Sequence, residues 1–120
     1  MESITSLPHY KFVTVNFKQK LKILTSSIIM FEGHKNYTLI HLSNGLKKMY
    51  ARTLCHFEEQ LIDEKFIRVH RTYLVNPDYI IGYDKVRGKL FLKNCLVASI
   101  SRRKHQNLDY LFLQTEMSSN

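Results

Sequence analysis

Tryptophan is absent from this 120-residue chain, and cysteine and proline occur only twice each. Cys55 and Cys95 stand alone, with no Cys-x-x-Cys pair, which points to a reducing compartment, the cytoplasm. The N-terminal residues Met1 to Ser6 lack the basic region and apolar run of a secretory signal. No stretch approaches the roughly 20 apolar residues that a membrane helix needs, so no membrane partner is expected. The six histidines are scattered, without a His-x-x-x-His pair, and no metal site is expected. There is no Gly-rich phosphate loop. Cys55 and His56 adjoin, but neighbours on a helix point about 100° apart and make no nucleophile–base pair. These absences argue against an enzyme, and no cofactor is expected.

Acid is also scarce. Ten Asp+Glu face 18 Lys+Arg, for a net charge of +8. A positive field of that size on so small a chain favours an anionic partner. Its distribution is uneven. Glu58, Glu59, Asp63 and Glu64 crowd one short segment. From Ile67 to His105 the bases are Arg68, Arg71, Lys85, Arg87, Lys89, Lys93, Arg102, Arg103 and Lys104, against only Asp78 and Asp84. The 44% of hydrophobic residues, with seven Phe and seven Tyr, can bury a real core, and the length fits one domain.

The apolar periodicity is mostly that of short strands. Phe12 to Phe17 and Leu21 to Thr25 read as strands around a Lys18-Gln19-Lys20 turn. Ile28 to Phe31 follows, Gly33 predicts a bend, and Tyr37 to Leu42 reads as another strand. Ser43-Asn44-Gly45 is the sharpest turn signal, with Leu46 to Ala51 as the return strand. The period then changes. Leu54, Phe57, Leu61 and Ile62 form a helical stripe behind a Thr53 cap, and Asp63-Glu64-Lys65 is expected to end that helix. Asn76-Pro77-Asp78 reads as a turn, with Asn76 as turn-former rather than ligand. Tyr79 to Tyr83, Lys89 to Lys93 and Leu96 to Ile100 read as strands. Leu108, Leu111 and Phe112 mark a final helix. Residues 1–10 are expected to be a flexible leader, 11–114 the domain and 115–120 a flexible tail.

Phe66 to Asn76, reading Phe-Ile-Arg-Val-His-Arg-Thr-Tyr-Leu-Val-Asn, sets Arg68, His70 and Arg71 among apolar residues with no acid to neutralise them. A strand that buries one set of side chains and holds out cations suits an anion. Arg68 can also lie over an apolar face with its head in water, and His70 is better suited to packing than to reading a base. Farther on, Arg102, Arg103 and Lys104 fill the first turn after the predicted cap Ser101. Cations there oppose the helix dipole by about 0.3–1 kcal/mol each when exposed. An arriving phosphate would reverse that sign, because amides, dipole and side chains would converge on it. The plain alternative is a solvated basic turn or a salt bridge to Glu58–Glu64. Gly33-His34-Lys35-Asn36-Tyr37 is rich in hydrogen-bond donors, as is an ordinary hairpin tip. Lys85, Arg87 and Lys89 around Gly88 are a further, less specific phosphate candidate.

The Phe-x-Arg-Val-His-Arg-Thr run into Val-Asn resembles the signature of the LytTR family of DNA-binding domains. Ile100-Ser101-Arg102-Arg103 is similar to that family's approach to its last helix, and Gly33 to Thr38 is similar to its Gly-x-x-Asn-Tyr-Thr loop. Ser99 stands where the family often has proline. The resemblance covers roughly residues 10 to 113. It implies a mostly β fold with two short helices, an elongated array of small antiparallel sheets. It implies sequence-specific binding of double-stranded DNA by loops in the major groove, as a bacterial transcriptional regulator. The contacts it implies are Lys35, Asn36 and Tyr37; Arg68, His70, Arg71 and Thr72; and Ser101, Arg102, Arg103 and Lys104. Arg71, Arg103 and Asn36 are the expected base readers, since Arg matches guanine and Asn matches adenine. Promoter repeats bound by two copies are also implied. The receiver domain that precedes this module in many relatives is not expected in the chain. A non-specific RNA or single-strand module and a module for an acidic protein partner remain the rival readings.

Overall fold

The computed structural model describes residues 11–104. The expected leader, the tail and the stripe Leu108, Leu111 and Phe112 lie outside the described residues. The elements are β1 (Phe12–Asn16), β2 (Leu21–Leu24), β3 (Ile28–His34), β4 (Tyr37–Leu42), β5 (Lys47–Tyr50), α1 (Leu54–Gln60), β6 (Ile67–His70), β7 (Tyr73–Val75), β8 (Ile80–Asp84), β9 (Lys89–Leu92) and β10 (Leu96–Ser99). They form three small antiparallel sheets: the hairpin β1-β2, a three-stranded β10-β9-β8, and a five-stranded β5-β4-β3-β7-β6. The fold is mostly β, as expected.

The middle of the five-stranded sheet is buried on both faces. Ile28, Phe31, Ile40 and Leu74 face the β1-β2 hairpin and α1, packing with Val13, Val15, Leu54, Phe57 and Leu61. Ile29, Met30, Val69 and Val75 face the three-stranded sheet, packing with Leu90, Leu92 and Ala98. Two-sided burial explains the unbroken apolar run Ile28 to Phe31, which a one-faced strand would not carry. Phe31 stacks on Phe57 at 5.2 Å between ring centroids, and Phe66 meets Phe31 edge-on at 5.6 Å.

Polar side chains fix the joints. The Thr53 hydroxyl accepts the His56 amide and caps α1 as predicted. Buried Asn76 donates from its side-chain amide to the Ile28 carbonyl and accepts the Asp78 amide, each at 3.0 Å, so it is a turn-former. Gln60 clamps β1 to α1, accepting the Thr14 amide at 2.9 Å and donating to the Thr14 carbonyl at 3.0 Å.

Two expectations are corrected. The bend expected at Gly33 falls at Lys35-Asn36, because Gly33 is a strand residue paired with Thr38 whose amide is held by the Thr72 carbonyl at 2.8 Å. The helix stops at Gln60, before the expected Asp63, and Ile62 is 81% exposed rather than part of the stripe. The Leu61 amide closes the last turn on Phe57 and Glu58, and the chain departs before Ile62 can face the core.

Phe57 is wholly buried against Phe31, so Phe57→Ala should lower unfolding stability by about 3–5 kcal/mol in a denaturant titration.

Candidate nucleic-acid interface

Strand register gathers the candidate segments at one end of the five-stranded sheet. β3 ends and β4 begins there, pairing His34 with Tyr37 across a two-residue tip, Lys35-Asn36. β6 ends and β7 begins at the same end, because Tyr73 pairs with both His70 and Glu32. The Gly33–Thr72 backbone bond ties the two turns together. β6 is an edge strand, with a bulge between Arg68 and His70. A bulge leaves its extra residue out of the ladder. The Val69 carbonyl accepts the Ser101 amide at 2.8 Å, which docks the helical turn of residues 102–104 beside the signature. Arg68, His70, Arg71, Ser101, Arg103 and Lys104 then line one cleft of about 350 Å³.

The two signature bases serve different ends. Arg68 donates to the His70 carbonyl at 2.9 Å, to the Arg71 carbonyl at 2.6 Å and to Glu58 of α1 at 2.5 Å. Its guanidinium is a brace across the loop rather than a free head in water. Arg71, one residue beyond β6, is exposed. His70 Nδ1 accepts the Thr72 amide at 3.1 Å and meets the Thr72 hydroxyl at 2.9 Å. Accepting an amide requires a lone pair on that nitrogen, so any ring proton of the neutral imidazole sits on Nε2. His70 therefore shapes the turn, and the Thr72 hydroxyl is already engaged.

At the other tip, Lys35, Asn36 and Tyr37 are all exposed. Lys35 adopts φ +55°, a left-handed conformation costing a non-glycine residue about 1–2 kcal/mol. Beneath the tip, Glu32 accepts from His34 and His41 at 3.1 and 3.0 Å. Burial, and then the nearby Glu32 charge, push the Tyr73 phenol above its ordinary pKa, so it remains a neutral donor. Ser101 Oγ accepts the Lys104 amide at 3.3 Å and caps the helical turn that starts at Arg102. Arg102 and Arg103 are exposed and Lys104 is half-buried. Among the described residues no carboxylate pairs with Lys35, Arg71, Arg103 or Lys104, and the salt bridge considered between the last helix and Glu58 goes to Arg68 instead.

One further base belongs to this end. The buried Thr38 hydroxyl donates to the Arg52 carbonyl at 2.6 Å, holding exposed Arg52 two residues beyond the Thr38–Tyr50 pair. In the sequence Arg52 is an isolated base between a strand and a helix, and only the register reveals its position. The loop Asp84–Gly88 also adjoins, since the Ile100 amide bonds the Gly88 carbonyl at 2.8 Å, one residue before Ser101.

A small, mostly β plate with cationic turns at one end presents a surface suited to a polyanion. Residues 18–112 match the LytTr DNA-binding domain family, and the chain belongs to that family. A solved LytTr DNA-binding domain from Bacillus cereus superposes with a TM-score of 0.67 at 22% identity, covering 84% of this chain and 95% of that one. No curated protein matches the chain. DNA binding in transcription regulation is the activity of the class. Among the described residues no helix is long and apolar enough to cross a membrane.

Arg68→Met keeps an apolar stem but removes the donors to Glu58 and two carbonyls. It should lower stability by about 1–3 kcal/mol in urea unfolding, with Glu58→Gln costing less because the carbonyl bonds survive.

Proposed function

We propose that the chain binds double-stranded DNA in a sequence-specific manner, by loops set into the major groove, and regulates transcription in the bacterial cytoplasm. The observation that carries this reading is the convergence of three cationic turns on one end of the sheet in a member of a DNA-binding family. Lys35, Asn36 and Tyr37 at the β3–β4 tip and Arg71 at the β6–β7 turn are the groove-facing residues. Asn36 offers the paired donor and acceptor that suit adenine, and the Arg71 and Arg103 guanidinium groups suit guanine. Ser101, Arg102 and Lys104 anchor phosphate. Thr72 reaches backbone only if its hydroxyl leaves His70. Arg68 and His70 act through the shape of the turn.

Affinity and specificity then come from different residues. Each neutralised phosphate releases counterions and steepens the salt dependence by about 0.9 in log–log slope. Each good base contact contributes roughly 1–3 kcal/mol of discrimination. Promoter repeats would place a second copy on the adjacent half-site.

Duplexes selected from a random pool, compared with random duplex and with single strand at about 0.15 M salt, test the reading. A strong preference for the selected duplex is expected, and equal binding to all three would end it. On the selected duplex, Arg103→Ala should lower the specific-to-random ratio about tenfold, equal to ~1.4 kcal/mol. Lys104→Ala should weaken both duplexes by one common factor.

A further inference from the structure

We propose that the tip of the β1–β2 hairpin is a second anion-binding surface, which holds phosphates of the same duplex outside the stretch read by the loops. This rests on the duplex-binding reading above. The hairpin is among the most one-signed parts of the chain. Lys18, Lys20 and Lys22 lie in it, Lys11 immediately precedes it, and no acid occurs between Lys11 and Phe31. Lys18, Gln19 and Lys20 are exposed, and Phe17 beside them is 53% exposed.

The tip has a set position. Gln60, the last residue of α1, binds Thr14, whereas His56 in the first turn of α1 meets the Phe17 ring edge-on at 5.7 Å. β1 therefore runs antiparallel to α1, and its tip lies at the helix N-terminal end. That is also the end where Leu54 packs against Gly33, next to the β3–β4 tip, and where Arg52 precedes the cap. The hairpin thus extends the cationic end of the sheet on the α1 side, while Ser101–Lys104 extends it on the opposite side, against Val69.

The local conformation supports the same conclusion. Asn16 accepts the Gln19 amide at 3.0 Å, and Lys20 takes φ +56°. Glycine or asparagine would hold that angle with less strain. Lysine in a left-handed position recurs at Lys35, on the tip proposed to enter the groove. Both turns present an ammonium where a cheaper residue would close the hairpin. A point charge on a flexible stem suits phosphate and carries no base preference, so this surface should add affinity without specificity.

The experiment compares wild type with K18Q/K20N on a selected half-site duplex of about one helical turn and on the same site lengthened to about two turns. Asparagine tolerates the left-handed angle held by Lys20, so the variant should unfold at the wild-type temperature. On the longer duplex the variant should bind roughly tenfold more weakly, with a log–log salt slope shallower by about 2, and on the shorter duplex it should match wild type. K18R/K20R should keep wild-type affinity on both. Unchanged affinity on the longer duplex overturns the proposal and would point to another acidic partner for the tip. An equal loss on both lengths also overturns it. Failure of wild type to bind either duplex would bring down the underlying reading, and this one with it.

Discussion

The hydrogen bond from the Ser101 amide to the Val69 carbonyl is the joint on which the interface depends. Val69 lies in the bulge of an edge strand of the central sheet, with its side chain fully buried against the three-stranded sheet. One residue therefore contributes its side chain to the second core and its carbonyl to the Ser101 turn. That link helps to set the distance of Arg103 and Lys104 from Arg71. The flanking residues reinforce it. Arg68 pins the turn that follows, and the Ile100–Gly88 bond pins the residue before Ser101.

Rigidity here comes from burial on two faces, not from any single strong contact. The strands are short, and an isolated two-stranded hairpin such as β1–β2 is marginal in water. Sandwiching β3 and β7 between α1 with its hairpin on one side and β8–β10 on the other removes both faces from solvent. The ends of those strands can then carry exposed, mutually repelling cations and a strained Lys35 without unravelling. Stability sits in the middle of the plate, and the proposed recognition surface sits at its rim.

Much of the fold was legible because local chemistry agreed with it. The Asn44-Gly45 turn, the Thr53 cap and the Asn76–Asp78 turn bond each rest on contacts within a few residues, and the strand-like runs show in side-chain branching. Boundaries set by long-range contacts were less legible. Gly33 reads as a bend from its backbone freedom, yet Thr72, distant in sequence, keeps it in a strand. Ile62 continues a helical stripe on paper, but the helix closes before it. The candidate site was legible in the same uneven way. The Arg71, Lys35 and Ser101–Lys104 segments stand out by charge and by family likeness. The roles of Arg68 and His70 as braces come from bonds within their own turn and to Glu58, which no charge or hydrophobic pattern displays, and the nearness of Arg52 follows only from its bond to Thr38 on another strand.

The amino-acid order by itself determined the sign of the surface, the strand-rich class, the principal turns and the family. These follow from charge count, side-chain branching and short-range capping, which need no distant partner. Tertiary structure alone decided which cations share a surface and which are tied down. Convergence depends on register: a strand shifted by one residue turns every side chain to the other face. That register is set by core packing and by backbone bonds such as Gly33–Thr72 and Ser101–Val69, whose partners no local pattern reveals.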